Sequence, residues 1–204
     1  MSGIPLGFSE RRVQPGLHLC YIYNDDEERI DLLSRFFEAG VEAREKLLYV
    51  ADGTPVEEVP AMLSRGDAPL PGAPTFRVAT ARETYFPEGR FEADGMMALL
   101  RSFHVDAVTG GYAGARLAAE MTWMLGEVQG SEGAIPYEAR VTRTLAEHPI
   151  TAICQYDARR FSGETLMDML SVHPFMVVRG QVVENPYYVH PDVFLARRAP
   201  SRPH

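Results

Sequence analysis

LHLCYIYNDDEE, Leu17 to Glu28, is the stretch on which the fold turns. Its first seven residues are apolar, aromatic and β-branched in character and follow Pro15-Gly16, which predicts a buried strand entered from a turn. Alternation puts His18, Cys20 and Ile22 on one face of that strand. Asn24-Asp25-Asp26 then offers a helix cap, with Glu27 and Glu28 in the first turn, where carboxylates complement the helix dipole. Ile30, Leu33, Phe37 and Val41 recur at helical spacing, so a helix is expected from about residue 26 to 42.

A strand feeding a helix through a short turn is the opening of a nucleotide-binding fold. A P-loop protein carries glycines and a lysine at that turn, whose backbone amides and ammonium neutralise the phosphates. Here the position reads Asn24-Asp25-Asp26-Glu27-Glu28-Arg29. Its carboxylates would repel a triphosphate, no glycine permits close backbone approach, and no lysine is present. ATP hydrolysis is therefore disfavoured, and the chain is not expected to be an enzyme. The plainer reading of the same residues is a solvated acidic helix start.

Outward from this stretch, Lys46 to Ala51 (KLLYVA) predicts a second buried strand, and Val56 to Leu63 a helix before the Pro/Gly-rich loop GDAPLPGAPT. A short strand is expected at Phe76 to Ala79. After TYFPEGRF, a helix places Met96, Leu100, Phe103 and Ala107 on one face and ends at Gly110-Gly111. Ala115 to Leu125 (ARLAAEMTWML) is ambiguous, and its Ala, Leu, Met and Glu content leans towards helix. Pro136 to Glu147 predicts a helix, Ile150 to Asp157 a buried strand, and Gly163 to Ser171 a helix closed by His173-Pro174. FMVV followed by RGQVV suggests a hairpin across Arg179-Gly180. The alternation is that of a parallel α/β fold.

The 204 residues, 46% hydrophobic, suffice for one core and one domain. A net charge of −8 sets the surface against a phosphate backbone and an anionic membrane leaflet, so neither nucleic acid nor membrane is an expected direct partner. Cys20 and Cys154 are far apart and form no CxxC pair, which fits a reducing, cytoplasmic compartment. No signal peptide or membrane span is read in the sequence. The organisation expected is an N-terminal extension over 1–14, one domain over 15–195 and a basic, proline-broken tail over 196–204.

The candidate site residues fall into groups. His18 and Cys20 on one strand face, with Cys154, His148 and His173 elsewhere, could meet in a metal or haem site only through folding, because no HxxxH, HExxH or CxxC spacing marks one. Buried cysteines usually behave as small apolar residues, so no cofactor is predicted, with haem or metal kept as the lesser alternative. Arg116, Glu120, Glu138 and Arg140 interrupt apolar segments. Such charges either bridge elements as buried pairs or, with Trp123, Tyr137, Tyr156 and Phe161, supply the polar handles of an aromatic-walled pocket. Both readings stand. Asn185-Pro186-Tyr187-Tyr188 reads mainly as a turn.

The succession LHLCYIYNDDEE, FFEAGVEAREKLLYVA, YFPEGRF, GYAGARLAAEMTW, YEARV, ICQYDARRF and HPFMVVRGQVVENPYYVHP resembles the MEDS domain, a sensory module named for methanogens, methylotrophs and the dichloromethane-responsive regulator. The resemblance runs from about Leu17 to Pro191. It implies a RecA/KaiC-like three-layer sandwich with a central, mostly parallel sheet and a C-terminal hairpin. It also makes ARLAAEMTW a strand, with Glu120 at the Walker B acidic position, and that reading is preferred to propensity. A ligand crevice would then lie beyond the carboxyl ends of the strands, near Tyr23-Asn24, Glu120-Trp123 and Tyr156-Asp157.

MEDS domains are thought to bind small hydrocarbon-like metabolites and to signal to kinase, DNA-binding or anti-sigma modules. The resemblance therefore implies a sensory or regulatory domain holding a small, largely apolar ligand in a degenerate nucleotide crevice. With no output module read in the chain, it would act on a kinase, anti-sigma factor or transcription regulator, or as a homodimer. A nucleotide-binding relic using Glu120 is the competing reading.

Overall fold

In the computed structural model, which describes residues 3–65, 70–72 and 74–198, the opening stretch forms β1 (His18–Tyr23) and α1 (Asp26–Glu42). The Asp25 carboxylate accepts the Glu28 backbone N–H at 2.8 Å, closing the start of α1 as the sequence anticipates. The chain continues through β2 (Glu45–Ala51), α2 (Val59–Leu63), β3 (Phe76–Thr80), α3 (Ala81–Tyr85), α4 (Ala93–Thr109) and β4 (Gly114–Glu120). It ends with α5 (Ala134–Glu147), β5 (Ile150–Asp157), α6 (Gly163–Val172), β6 (Phe175–Val178), β7 (Gln181–Glu184) and α7 (Pro191–Arg198). The seven strands order as β3-β2-β4-β5-β1-β6-β7, parallel throughout except for the β6–β7 hairpin. Arg179 and Gly180 both take positive φ, 48° and 69°, the two-residue turn whose twist suits a hairpin.

Helices cover both faces. Leu32, Leu33, Phe36 and Phe37 of α1, with Val59 and Leu63 of α2, pack on Leu19, Tyr21, Leu47, Tyr49, Ala118 and Ile153. On the other face Met96, Met97 and Leu100 of α4, Tyr137, Val141 and Leu145 of α5, and Met169 of α6 pack on Cys20, Leu48, Val50, Leu117, Ala152 and Cys154. The sandwich and the mostly parallel sheet with its C-terminal hairpin are as expected.

The strand preferred for ARLAAEMTW over the helical leaning of its composition is found: Gly114–Glu120 is a strand, flanked by β2 and β5. Pairing on both edges and burial on both faces override the propensity of alanines, whose small side chains fit between two helical layers. Only Thr122–Leu125 turns helically, as a single 3-10 turn.

Residues of the presumed 1–14 extension pack on the core: Ile4 and Val13 form a bridge, and Leu6 is wholly buried on the α1 face. The expected tail begins inside α7, whose Phe194 packs on Ala139 and Val172, while residues 199–204 lie outside the described residues. The loop read as GDAPLPGAPT is described only in part. Helix α3 was not anticipated, although Thr80 and Glu83 form the reciprocal capping box that T-x-x-E signals. Among the described residues no helix is long and apolar enough to cross a membrane.

Candidate functional site

The pleat of the sheet divides the candidate side chains between its two faces. Glu120, the last residue of β4, points to the α1 face. Its Oε1 accepts from the Tyr49 hydroxyl at 2.6 Å, the Thr54 hydroxyl at 2.6 Å and Arg29 Nη1 at 3.3 Å. Its Oε2 accepts backbone N–H groups of Asp52 at 2.7 Å, Gly53 at 2.6 Å and Thr54 at 3.3 Å. Burial alone would raise the Glu120 pKa, but these bonds hold it below the ordinary carboxylate value. The Arg29 guanidinium also donates to Gln155 Oε1 at 3.2 Å and lies 5.1 Å from the centre of the Tyr23 ring.

Tyr23, Asn24 and Glu120 thus stand at the carboxyl edge of the sheet. The crevice between them, however, is filled by the chain itself. Arg29 enters from the first turn of α1 to meet Glu120, and Arg159 ties Asp157 to Asp26 at 2.8 and 2.9 Å across the rim. Arg116 lies on the same face but at the opposite end of β4. It donates to Glu45 Oε2 at 2.5 Å, to the Phe36 carbonyl and to the Pro5 carbonyl at 3.1 Å. It is fully buried and bridges α1, β2 and the N-terminal segment, apart from the other candidates.

The α5 face gathers the rest. His18 and Cys20 come from β1, Cys154 and Tyr156 from β5, Tyr137 and Glu138 from α5, and His173 from the end of α6. Glu138 Oε2 lies 3.1 Å from His18 Nε2, 3.5 Å from His173 Nε2 and 3.8 Å from Cys154 Sγ. Cys154 Sγ is 3.4 Å from His18 Nε2, and the histidine rings lie with centroids 3.9 Å apart and planes tilted by 35°. The ligating atoms of His18, Glu138, Cys154 and His173 all lie within 4.8 Å of one another, and all four residues are buried. Cys20 stands beside Cys154 in register.

Burial dominates the electrostatics of this group. It lowers His18 and His173 to about 3 and raises Glu138 to about 7, the last against the opposing pull of His173 and a hydrogen bond from Cys154. It also pushes both thiols up, with Glu138 adding to the effect. Two partners were not anticipated. Thr142, one helical turn beyond Glu138, places Oγ1 2.9 Å from His18 Nδ1, and Asn185 clamps the corner that carries His173 by donating to the carbonyls of Leu170 and His173. An (i, i+4) spacing on α5 was the only sequence signal for the first, and the second read simply as a turn residue.

Trp123 stacks on Tyr85 at 4.7 Å and packs against Phe91 at 5.0 Å, and its indole N–H has no hydrogen-bond partner. Tyr137 meets Tyr85 and Phe91 edge-on. Tyr156 packs edge-on against Phe161 and His173, with its hydroxyl also lacking a partner. Between the sheet and α4/α5 lies a small cavity of about 20 Å³, walled by Leu48, Val50, Met96, Leu100, Leu117 and Val141 and ending on Tyr137, Glu138 and Cys154. Thr84 and Leu99 line this cavity and also two outer grooves of about 400 and 420 Å³, one along α4 and β3 and one around Arg90 and Gln129.

Residues 17–174 match the family described as MEthanogen/methylotroph, DcmR Sensory domain (MEDS). The transcriptional repressor DcmR of Methylorubrum extorquens is 30% identical over 89 residues, 43% of this chain, and the match spans about a third (34%) of that relative's length. Among solved structures, the KaiC-like protein PH0186 of Pyrococcus horikoshii OT3 is similar with a TM-score of 0.57 at 12% identity, covering 86% of this chain and 78% of that one. The flagellar accessory protein FlaH of Methanocaldococcus jannaschii aligns with a TM-score of 0.47 at 11% identity, covering 82% and 75%. The expected KaiC-like fold is found in the likeness to PH0186.

Proposed function

Given that the chain belongs to the MEDS family of sensory domains, we propose that it senses a small, largely apolar molecule held between the sheet and α4/α5. The observation behind this reading is the inner cavity, apolar along its walls and ending on buried Glu138 and Cys154. Ligand sites combine this kind of lining with a few placed polar groups. The expected crevice at the strand ends is less suited, because Arg29, Tyr49 and Thr54 already satisfy Glu120 there.

At about 20 Å³ the cavity holds roughly one water, so even a short-chain molecule must widen it at Leu99 and Met96 of α4. A ligand that binds only the widened form shifts the population of α4 positions, which is what a sensor needs. The output is read by a protein partner, a kinase, anti-sigma factor or transcription regulator, and the repressor among its relatives favours the last. The domain does not hydrolyse ATP in this scheme, since Asp25 caps α1 and Arg29 is committed to Glu120.

The test is thermal unfolding of the purified protein with a panel of short-chain alkanes, haloalkanes, alcohols and thiols, alongside ATP with magnesium. A saturable rise in midpoint with at least one apolar compound is expected. No rise across the panel, or a rise with ATP alone, would overturn the reading.

A further inference from the structure

His18 donates through Nδ1 to Thr142, because the Thr142 hydroxyl hydrogen is itself directed at the Val172 carbonyl at 3.2 Å. His173 donates through Nδ1 to the Met169 carbonyl at 2.7 Å, and a carbonyl can only accept. Both rings therefore carry their proton on the outer nitrogen and turn a bare Nε2 lone pair inward. Those lone pairs converge on Glu138 Oε2 and Cys154 Sγ, and His173 Nε2 has no hydrogen-bond partner at all, although its side chain is fully buried. Without a metal, the Cys154 thiol proton directed at Glu138 is the donor among these four potential ligand atoms in a dry interior, and a cation bound between them would take its place.

We propose that His18, Glu138, Cys154 and His173 form a tetrahedral site for a zinc-type divalent metal ion. Bond lengths of about 2.0–2.3 Å to nitrogen, oxygen and sulfur imply ligand-to-ligand edges of about 3.3–3.8 Å in a tetrahedron. The edges from Glu138 to His18, His173 and Cys154 are 3.1, 3.5 and 3.8 Å, and that from Cys154 to His18 is 3.4 Å. The donor set mixes imidazole, thiolate and carboxylate, the combination zinc accepts and a hard oxygen-seeking ion does not. The outer nitrogens are already held by Thr142 and Met169, as metal-bound imidazoles require. The ion would staple β1, β5, α5 and the α6–β6 corner at the inner end of the cavity. This site does not depend on the ligand reading, since it needs only the four side chains and their second partners.

The experiment is metal analysis and cobalt(II) titration of the full chain, purified without chelator. One zinc per chain is expected, and apo-protein should take up one cobalt with the intense visible bands of tetrahedral Co(II) and a thiolate charge-transfer band. Cys154→Ser should lose the charge-transfer band, whereas Cys20→Ser should keep it. Thr142→Val, which leaves the four ligands in place, should weaken zinc binding by about 10–100-fold. A folded protein that binds no zinc and gives only the pale spectrum of hydrated cobalt would overturn the proposal. So would a charge-transfer band that survives in Cys154→Ser. Because the readout is spectroscopic, failure here leaves the thermal response to apolar compounds untouched, and the reverse also holds.

Discussion

Arg29 Nη1 lies 3.3 Å from Glu120 Oε1, joining the first turn of α1 to the carboxyl end of β4 across the place where a P-loop protein keeps its nucleotide phosphate. The chain supplies both charges of its own crevice, the cation from the helix and the anion from the strand. Arg29 is 7% exposed and Glu120 4%, so the pair is screened little by solvent.

Removing one partner of this pair should therefore cost more than removing both. Arg29→Met leaves the Glu120 carboxylate buried without its cation, with an expected loss of about 3 kcal/mol of stability. Glu120→Gln in the same chain should restore part of that loss. Urea unfolding of both single variants and the double variant, combined as a cycle, measures the coupling. Additive losses would show that the pair is not coupled.

The same carboxylate sets part of the acid limb of stability. Glu120 faces Arg29 from α1, Tyr49 from β2, and Thr54 and the Asp52 amide from the turn after β2, while Gln155 of β5 accepts from the same Arg29 nitrogen. Its folded pKa lies below the unfolded value of about 4.3, so its contribution is full above that pH and is lost as pH falls through the folded value. Asp157 and Asp26, held low mainly by hydrogen bonds from Arg159, act in the same direction. Glu120→Gln should flatten the fall in urea midpoint between neutral pH and pH 3, and an unchanged slope would count against this assignment.

The opening stretch was legible because its strand, cap and helix are local features: Leu17 to Glu28 carries apolar alternation, an Asp cap and acidic first-turn residues in sequence. β4 was not legible from propensity, since what makes GARLAAE a strand is pairing with β2 and β5. The residues of the buried group were each nameable as candidates, but their meeting depends on β1 and β5 being neighbours and on α5 lying over both. Nothing in the spacing of His18, Glu138, Cys154 and His173 encodes that. Arg29 escaped notice for a different reason: in sequence it belongs to an exposed acidic turn, and only the direction of α1 turns it inward.

Gly40 provides a sharp test of packing on the α1 face. A Cβ there would lie 2.6 Å from Leu47 Cδ2 and 2.8 Å from Arg116 Nε, both in side chains that are fully buried. Arg116 cannot retreat without breaking its bonds to Glu45 and Pro5. Gly40→Ala gains helix propensity of up to about 1 kcal/mol, yet the overpacking cost of about 1–3 kcal/mol should exceed it. A lower urea midpoint is expected, and a variant as stable as the parent would show that α1 can lift from the sheet at no cost.

Leu99 sits at the junction of the inner cavity with both outer grooves, and it is only partly buried, so a larger side chain there can lean outward without straining the core. Leu99→Trp should close the junction while changing the midpoint of the free protein by no more than a few degrees, about 1 kcal/mol. Any thermal stabilisation by short-chain apolar compounds should then disappear. Leu99→Ala should act oppositely, widening the mouth and strengthening the response at a given concentration. If both variants respond as the parent does, the compounds reach the protein by another route, and the α4 side of the sheet is not where they bind.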